Sequence, residues 1–121
     1  MRPKFLVDEC VEAVLLELIV KHNQGGRPRV EAIRVGDRAD LPLGSSDPVM
    51  LQWAEKNGYV IVSRDVSTLR THFGHHLAAG GHCPGLFLMR ATTDFHAVVE
   101  LLAVAAETED PMAWQDLMEF I

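Results

Sequence analysis

The chain has 121 residues, of which 48% are hydrophobic and 23% charged, and a formal net charge of −6. That length suits one domain spanning 1–121 with its own hydrophobic core, and the composition excludes disordered and fibrous classes. The acidic balance opposes nonspecific adhesion to nucleic acid, whose affinity comes largely from lysine and arginine on phosphates, so any such contact must be local, metal-bridged or partner-assisted.

No apolar run approaches the roughly 18 residues needed to cross a bilayer, and Met1 to Val7 turns acidic at Asp8 before a signal-peptide core can form. A cytoplasmic protein with no membrane association is expected. Cys10 and Cys83 lie far apart without a CxxC spacing, so two buried free thiols are expected rather than a disulfide or a cysteine-built zinc site.

Lys4 to Val7 is a short apolar run cut off at Asp8-Glu9, the pattern of a fully buried strand. From Cys10 to His22 the residues Val11, Val14, Leu15, Leu18 and Ile19 recur at helical spacing, and the Gly- and Pro-containing stretch from Asn23 to Arg29 ends that helix. Val30 to Val35 reads as a second strand with Arg34 pointing away from the core. Gly36 to Ser46 has no periodicity and is longer than the usual link, which marks it as a functional loop.

Asp47-Pro48 opens the next helix, Asp as N-cap and Pro in the first turn, and Asn57-Gly58 stops it after Lys56. Tyr59 to Ser63 is a β-branched strand closed by Arg64-Asp65. Leu69, Phe73 and Leu77 predict a third helix, Gly80-Gly81 and Pro84-Gly85 break the chain, and Leu86 to Met89 predicts a fourth strand. Phe95 to Ala106 reads as a long apolar helix. Asp110-Pro111 is expected to cap a short tail helix containing Trp114 and Leu117, passing into an extended end at Phe120-Ile121. Strands that read as apolar runs between helices predict a parallel sheet covered on both faces, with right-handed crossovers.

In such sheets ligands gather outside the carboxyl ends of the strands. Asp8 ends the first strand, Asp47 follows the second and Asp65 ends the third, so all three belong to one edge. Crowded carboxylates attract a hard divalent cation, Mg²⁺ or Mn²⁺, which can polarise a phosphoryl oxygen and supply hydroxide for phosphodiester hydrolysis. The same residues each precede a helix, where Asp serves as a cap worth roughly 0.5–2 kcal/mol. On spacing alone both readings stand.

The segments Phe5-Leu6-Val7-Asp8-Glu9, Ser46-Asp47-Pro48 with Leu51 and Trp53-Ala54, Gly58 through Ser63-Arg64-Asp65, and Pro84-Gly85-Leu86-Phe87-Leu88 together resemble the PIN-like domain family DUF5615, in order across nearly the whole chain. The run Asp65-Val66-Ser67-Thr68 followed by a helix and Ala79-Gly80-Gly81 is similar to one branch of it. The resemblance implies a three-layer α/β/α PIN-like sandwich with a mainly parallel sheet, kin to metal-dependent ribonucleases and to the toxins of toxin–antitoxin pairs. By position Asp8, Asp47 and Asp65 match the family's acidic set, with Glu9 as a helper. Many relatives carry a second acid where this chain has Ser67, which leaves a fourth ligand open, with Asp94 a weak replacement. The alternative it leaves is a catalytically silent module that binds an antitoxin, another protein or RNA.

Arg64 can fork onto a scissile phosphate or pair with a neighbouring carboxylate. Thr68 can bond a metal-bound water or complete the Asp65 cap. His72, His75, His76 and His82-Cys83 evoke zinc, but adjacent His75 and His76 point about 100° apart on a helix, so a solvated face is expected. Arg27, Arg29, Arg34 and Arg38 form the densest basic stretch, expected to be a solvated rim. Trp53 and Trp114 are expected in the core or at a subunit contact, and Leu101, Leu102 and Val104 could equally face a second copy in a homodimer.

Overall fold

The structure, a computed structural model, describes residues 2–25 and 28–121; Arg27 of the basic stretch lies outside the described residues. The elements alternate as β1 (Lys4–Val7), α1 (Val14–Gln24), β2 (Ala32–Arg34), α2 (Asp47–Asn57), β3 (Tyr59–Ser63), α3 (Thr68–Ala78), β4 (Leu86–Leu88), α4 (Phe95–Ala105) and β5 (Met118–Phe120). The strands form one all-parallel sheet in the order β2-β1-β3-β4-β5.

Strand alternation sorts the core into two layers, because successive side chains leave opposite faces. Phe5, Val7, Val60, Val62 and Phe87 meet Leu15 and Ile19 of α1 and Val98, Val99 and Leu102 of α4 on one face. Leu6, Ile61, Leu86 and Leu88 meet Met50, Leu51 and Ala54 of α2 and Leu69 and Phe73 of α3 on the other. Trp53 is buried, and Trp114 packs edge-on against Phe87 with ring centroids 5.5 Å apart. On α4, Leu102 is buried, whereas Leu101 and Val104 are exposed. Among the described residues no helix is long and apolar enough to cross a membrane.

The expectation of uniformly right-handed crossovers fails at the last one. From β1 the chain steps to β2 with α1 on one face, and from β2 to β3 and β3 to β4 it steps the opposite way with helices on the other face; these three connections share a hand. The step from β4 to β5 keeps that second direction but carries α4 on the α1 face, so its hand is reversed. The long apolar stripe of α4 finds its partner in α1 rather than α3, and that burial outweighs the usual preference.

Several local expectations are corrected. The first helix begins at Val14, not Cys10: the Val11 amide bonds the Asp8 carbonyl at 3.0 Å, and Arg34 donates to the carbonyls of Glu9 and Val11, each at 2.8 Å, which holds this stretch as a turn. Arg34 is therefore a structural tie and not part of a solvated rim. That turn also leaves Cys10 exposed, whereas Cys83 is buried and its thiol is pushed up to about 11 by burial. Asp47 does not cap α2; Ser46 does, its Oγ accepting the Val49 amide at 3.4 Å.

The tail helix is a run of turns instead, and the extended end is a true strand, β5. Asp116 adopts φ 61, its carboxylate accepts the Cys83 amide at 2.8 Å, and its own amide bonds the Cys83 carbonyl at 2.7 Å. The left-handed residue breaks the helix and turns the chain into the sheet.

His82 completes this clasp, with Nδ1 2.9 Å from Asp116 Oδ2 and its amide donating to Glu55 at 2.7 Å. The His82 bond holds the Asp116 carboxyl below 3.8, the His82 amide holds that of Glu55 below 4.5, and Asp116 raises the imidazole above 6.5. The carboxylate contributions are complete above those ordinary values and are lost as pH falls through the depressed ones. The histidine contribution is complete below 6.5 and is lost as pH rises through the raised value. Melting scans from pH 4 to 9 are therefore expected to show the clasp strongest between about 4.5 and 6.5, and Asp116→Asn, which tolerates positive φ, should flatten the decline above that window. An unchanged slope in the variant would reject the clasp.

Candidate functional site

Because β1 leads one way to β2 while β3 leads the other way to β4, the connections diverge between β1 and β3, the usual ligand position in such sheets. Val7 is in register with Val62, and the Asp8 amide bonds the Val62 carbonyl at 2.9 Å, which sets Asp8 beside Ser63 at this switch point. Asp8 is 9% exposed and Ser63 fully buried, and Ser63 Oγ donates to Asp8 Oδ2 at 2.8 Å. Burial pushes the Asp8 carboxyl above its ordinary value, with a further contribution from the charge of Asp47, while the Ser63 bond opposes the rise. Asp8 has no ion-pair partner among the described residues.

Asp47 opens α2, and its charge adds a minor upward push on the Asp8 carboxyl. Its Oδ2 lies 3.0 Å from His72 Nδ1 of α3. Asp65 is turned into its own loop. Oδ1 accepts the Ser67 and Thr68 amides at 3.0 Å each and the Ser67 hydroxyl at 3.1 Å, and Oδ2 accepts the Thr68 hydroxyl. Partial burial works to raise the Asp65 carboxyl, but the bonds from Thr68 and Ser67 hold it below the usual range. Thr68 thus closes the turn in which Asp65 accepts from the start of α3, although the N-cap position itself is Ser67 and not Asp65 as expected. Glu9 accepts the Gly44 amide at 2.8 Å and so anchors the long loop after β2. Asp94 caps α4 through the His96 amide at 3.1 Å.

Arg64 takes the ion-pair alternative: its Nε is 3.2 Å from Glu12 and its guanidinium stacks over Phe95 at 5.4 Å. Arg38 similarly lies 5.9 Å over the Trp53 ring. The sulfur of exposed Cys10 sits 3.5 Å from Ser63 Oγ, and its partly covered thiol is pushed above the ordinary value by burial, which disfavours the thiolate. The histidines disperse onto separate carboxylates, His72 on Asp47, His76 on Glu55 and His82 on Asp116, while His75 is exposed.

Among the described residues, no three His, Cys, Asp or Glu side chains form a ready-made metal-holding group. The fit to a divalent cation rests on a narrower observation, the pair of Asp8 and Asp47. A buried carboxylate with no cationic partner and a like charge nearby is chemically suited to a hard cation. Two residues of this edge escaped the sequence reading. Ser63 was visible only as the polar end of an otherwise apolar strand, and His72 only as a helix-face histidine one turn after Thr68.

The fold and this edge define a doubly wound parallel α/β protein with a carboxylate-bearing switch point. Comparison of the chain with protein-family models, curated proteins and solved structures found no match.

Proposed function

We propose that the chain is a Mg²⁺- or Mn²⁺-dependent ribonuclease of the PIN-like type. The observation that carries this reading is Asp8, buried at the topological switch point without a cationic partner among the described residues, with the charge of Asp47 acting on it. The resemblance of the Asp8, Asp47 and Asp65 segments to the PIN-like family supports it. Asp8 and Asp47, with Asp65 and Glu9, would hold the ion; each carboxylate oxygen can accept more than one bond, so the contacts inside the Asp65 turn and from Gly44 to Glu9 do not exhaust them. A bound ion would polarise the phosphodiester and lower the pKa of its water. Arg64, stacked and ion-paired at the same edge, would exchange Glu12 for an RNA phosphate. Thr68 would contact substrate through its hydroxyl. Two free cysteines suit a cytoplasmic setting.

The second reading is a silent PIN-like module that binds RNA, an antitoxin protein or a second copy of the chain. Asp65 locked in its own turn, and Ser67 in place of a further acid, favour it. Pure protein incubated with single-stranded and structured RNA plus Mn²⁺ decides between them. Cleavage is expected, with a loss of at least about 100-fold in Asp8→Asn; cleavage unchanged in that variant would reject the nuclease reading.

A further inference from the structure

The two outer strands of the sheet end differently. At β2 the Glu31 carbonyl and the Val35 amide bond β1, so ladder alternation turns the Arg34 backbone outward. Both of its groups are already taken: the Arg34 amide donates to Asp37 Oδ2 at 2.8 Å, and its carbonyl accepts the Asp37 amide at 2.9 Å. That edge is sealed against further pairing. At β5 the Leu117 carbonyl and the Ile121 amide bond β4, so Met118 and Phe120 turn their amides and carbonyls outward, and among the described residues nothing bonds them. The two flanks of this open edge differ in chemistry. On one side a groove lies between Leu101, Val104 and Ala105 of α4 and Phe87, Trp114 and Glu119. On the other, exposed Phe120 has the guanidinium groups of Arg70 and Arg90 at 5.8 and 5.7 Å from its ring centre. Neither arginine forms an ion pair among the described residues, although the chain carries a net charge of −6.

We propose that the β5 edge receives an extended segment of a partner protein as a sixth strand, one in which apolar and acidic residues alternate. Main-chain bonds to Met118 and Phe120 hold such a segment, and its side chains are selected on the two faces. Because successive side chains leave opposite faces, every second residue lies against Leu101 and Val104, and the residues between them lie against Arg70 and Arg90. Apolar side chains suit the first face. Carboxylates suit the second, where a guanidinium can fork onto both oxygens. A second copy of the chain fits less well, since its own β5 offers only Met118 and Phe120 to the arginine face and both copies carry −6. The inference does not depend on the cation site, and it holds for a catalytic chain and a silent one alike.

Titration of the full chain with end-capped peptides, in which valine alternates with glutamate, glutamine or lysine, tests this when followed by backbone amide NMR shifts. The glutamate peptide is expected to bind about 10-fold more tightly than the glutamine one, and the lysine peptide weakest of all. Shifts should centre on Met118 and Phe120, and a glutamate peptide N-methylated throughout should not bind. Arg70→Glu combined with Arg90→Glu changes two exposed side chains and should invert the order, so that the lysine peptide binds best. No saturable binding of the glutamate peptide at millimolar concentration, equal binding of all three peptides, or shifts that spare β5 would each overturn the proposal. Two other outcomes would overturn it by assigning the edge elsewhere. A dimer that Phe120→Pro dissolves, without peptide binding, gives the edge to a second copy; the Phe120 amide faces outward, so proline there leaves the β4 ladder intact. Binding of single-stranded RNA that the double reversal abolishes, again without peptide binding, gives the arginines to phosphate.

Discussion

Asp8→Asn is expected to melt about 2–5 °C above the wild type in metal-free buffer at neutral pH, and to lose the stabilisation that Mn²⁺ gives the wild type. The Asp8 carboxyl is raised above 3.8, chiefly by burial, so the folded chain resists the charge more than the unfolded chain does. A raised carboxyl destabilises the fold at pH above its folded value, and the penalty vanishes below 3.8, where both states hold the proton. The advantage of the variant should therefore shrink to nothing as the medium is acidified. Asn keeps an acceptor for Ser63 Oγ, so the substitution removes the charge without orphaning that hydroxyl.

Metal reverses the order. An ion that binds only the folded wild type at about 100 times its dissociation constant adds ~2.7 kcal/mol, while the variant gains little. An ordinary cap would behave differently, since Asn and Asp cap about equally well and neither responds to Mn²⁺. Thermal melts of both proteins with and without Mn²⁺ measure this directly. A wild-type midpoint that metal fails to move, or a variant that melts lower at neutral pH, would refute it.

Ser63→Ala is expected to lose about 2 kcal/mol at neutral pH, roughly 6–10 °C for a chain of this size. Ser63 is fully buried and serves both acids of the switch point: Oγ donates to Asp8 Oδ2 at 2.8 Å and accepts the Asp65 amide at 3.1 Å. Removing it strips the Asp8 carboxylate of its hydroxyl donor and leaves the Asp65 amide without its acceptor. The Ser63 bond is the largest influence holding the Asp8 carboxyl down, so without it the carboxyl rises further. The deficit should consequently grow as pH increases and contract below 3.8 to the part owed to the Asp65 amide.

Combined with Asp8→Asn, the loss should be smaller than the sum of the two single effects, because both substitutions act on one contact. Denaturant unfolding at pH 3.5 and 7 supplies all the required differences. Strict additivity at both pH values would show that the charge of Asp8 adds nothing to its bond with Ser63.

How far residues alone carry the argument varies along the chain. Lys4–Val7 and Tyr59–Ser63 are predicted and found over the same residues, and α2 and α4 differ from expectation by one residue at their ends. These segments state their structure locally, through unbroken apolar runs, a Pro in the first turn and a left-handed Gly58 at the end. The failures lie where a distant residue decides. Arg34, in β2, keeps Cys10 out of α1 by holding the Glu9 and Val11 carbonyls. Cys83, more than thirty residues upstream, pins Asp116 and dissolves the expected tail helix.

The sequence by itself determined an α/β chain whose strands end in acid, and hence that Asp8, Asp47 and Asp65 share one sheet edge, because strand direction and alternation follow from local pattern. Only the tertiary structure decided what each acid does there. The β1–β3 register sets Asp8 beside Ser63, and the packing of α2 on α3 brings His72 to Asp47. The turn before α3 folds Asp65 back onto Ser67 and Thr68. Side-chain pairing between elements depends on register and on rotation about helix axes, and neither is written in the spacing of any one segment.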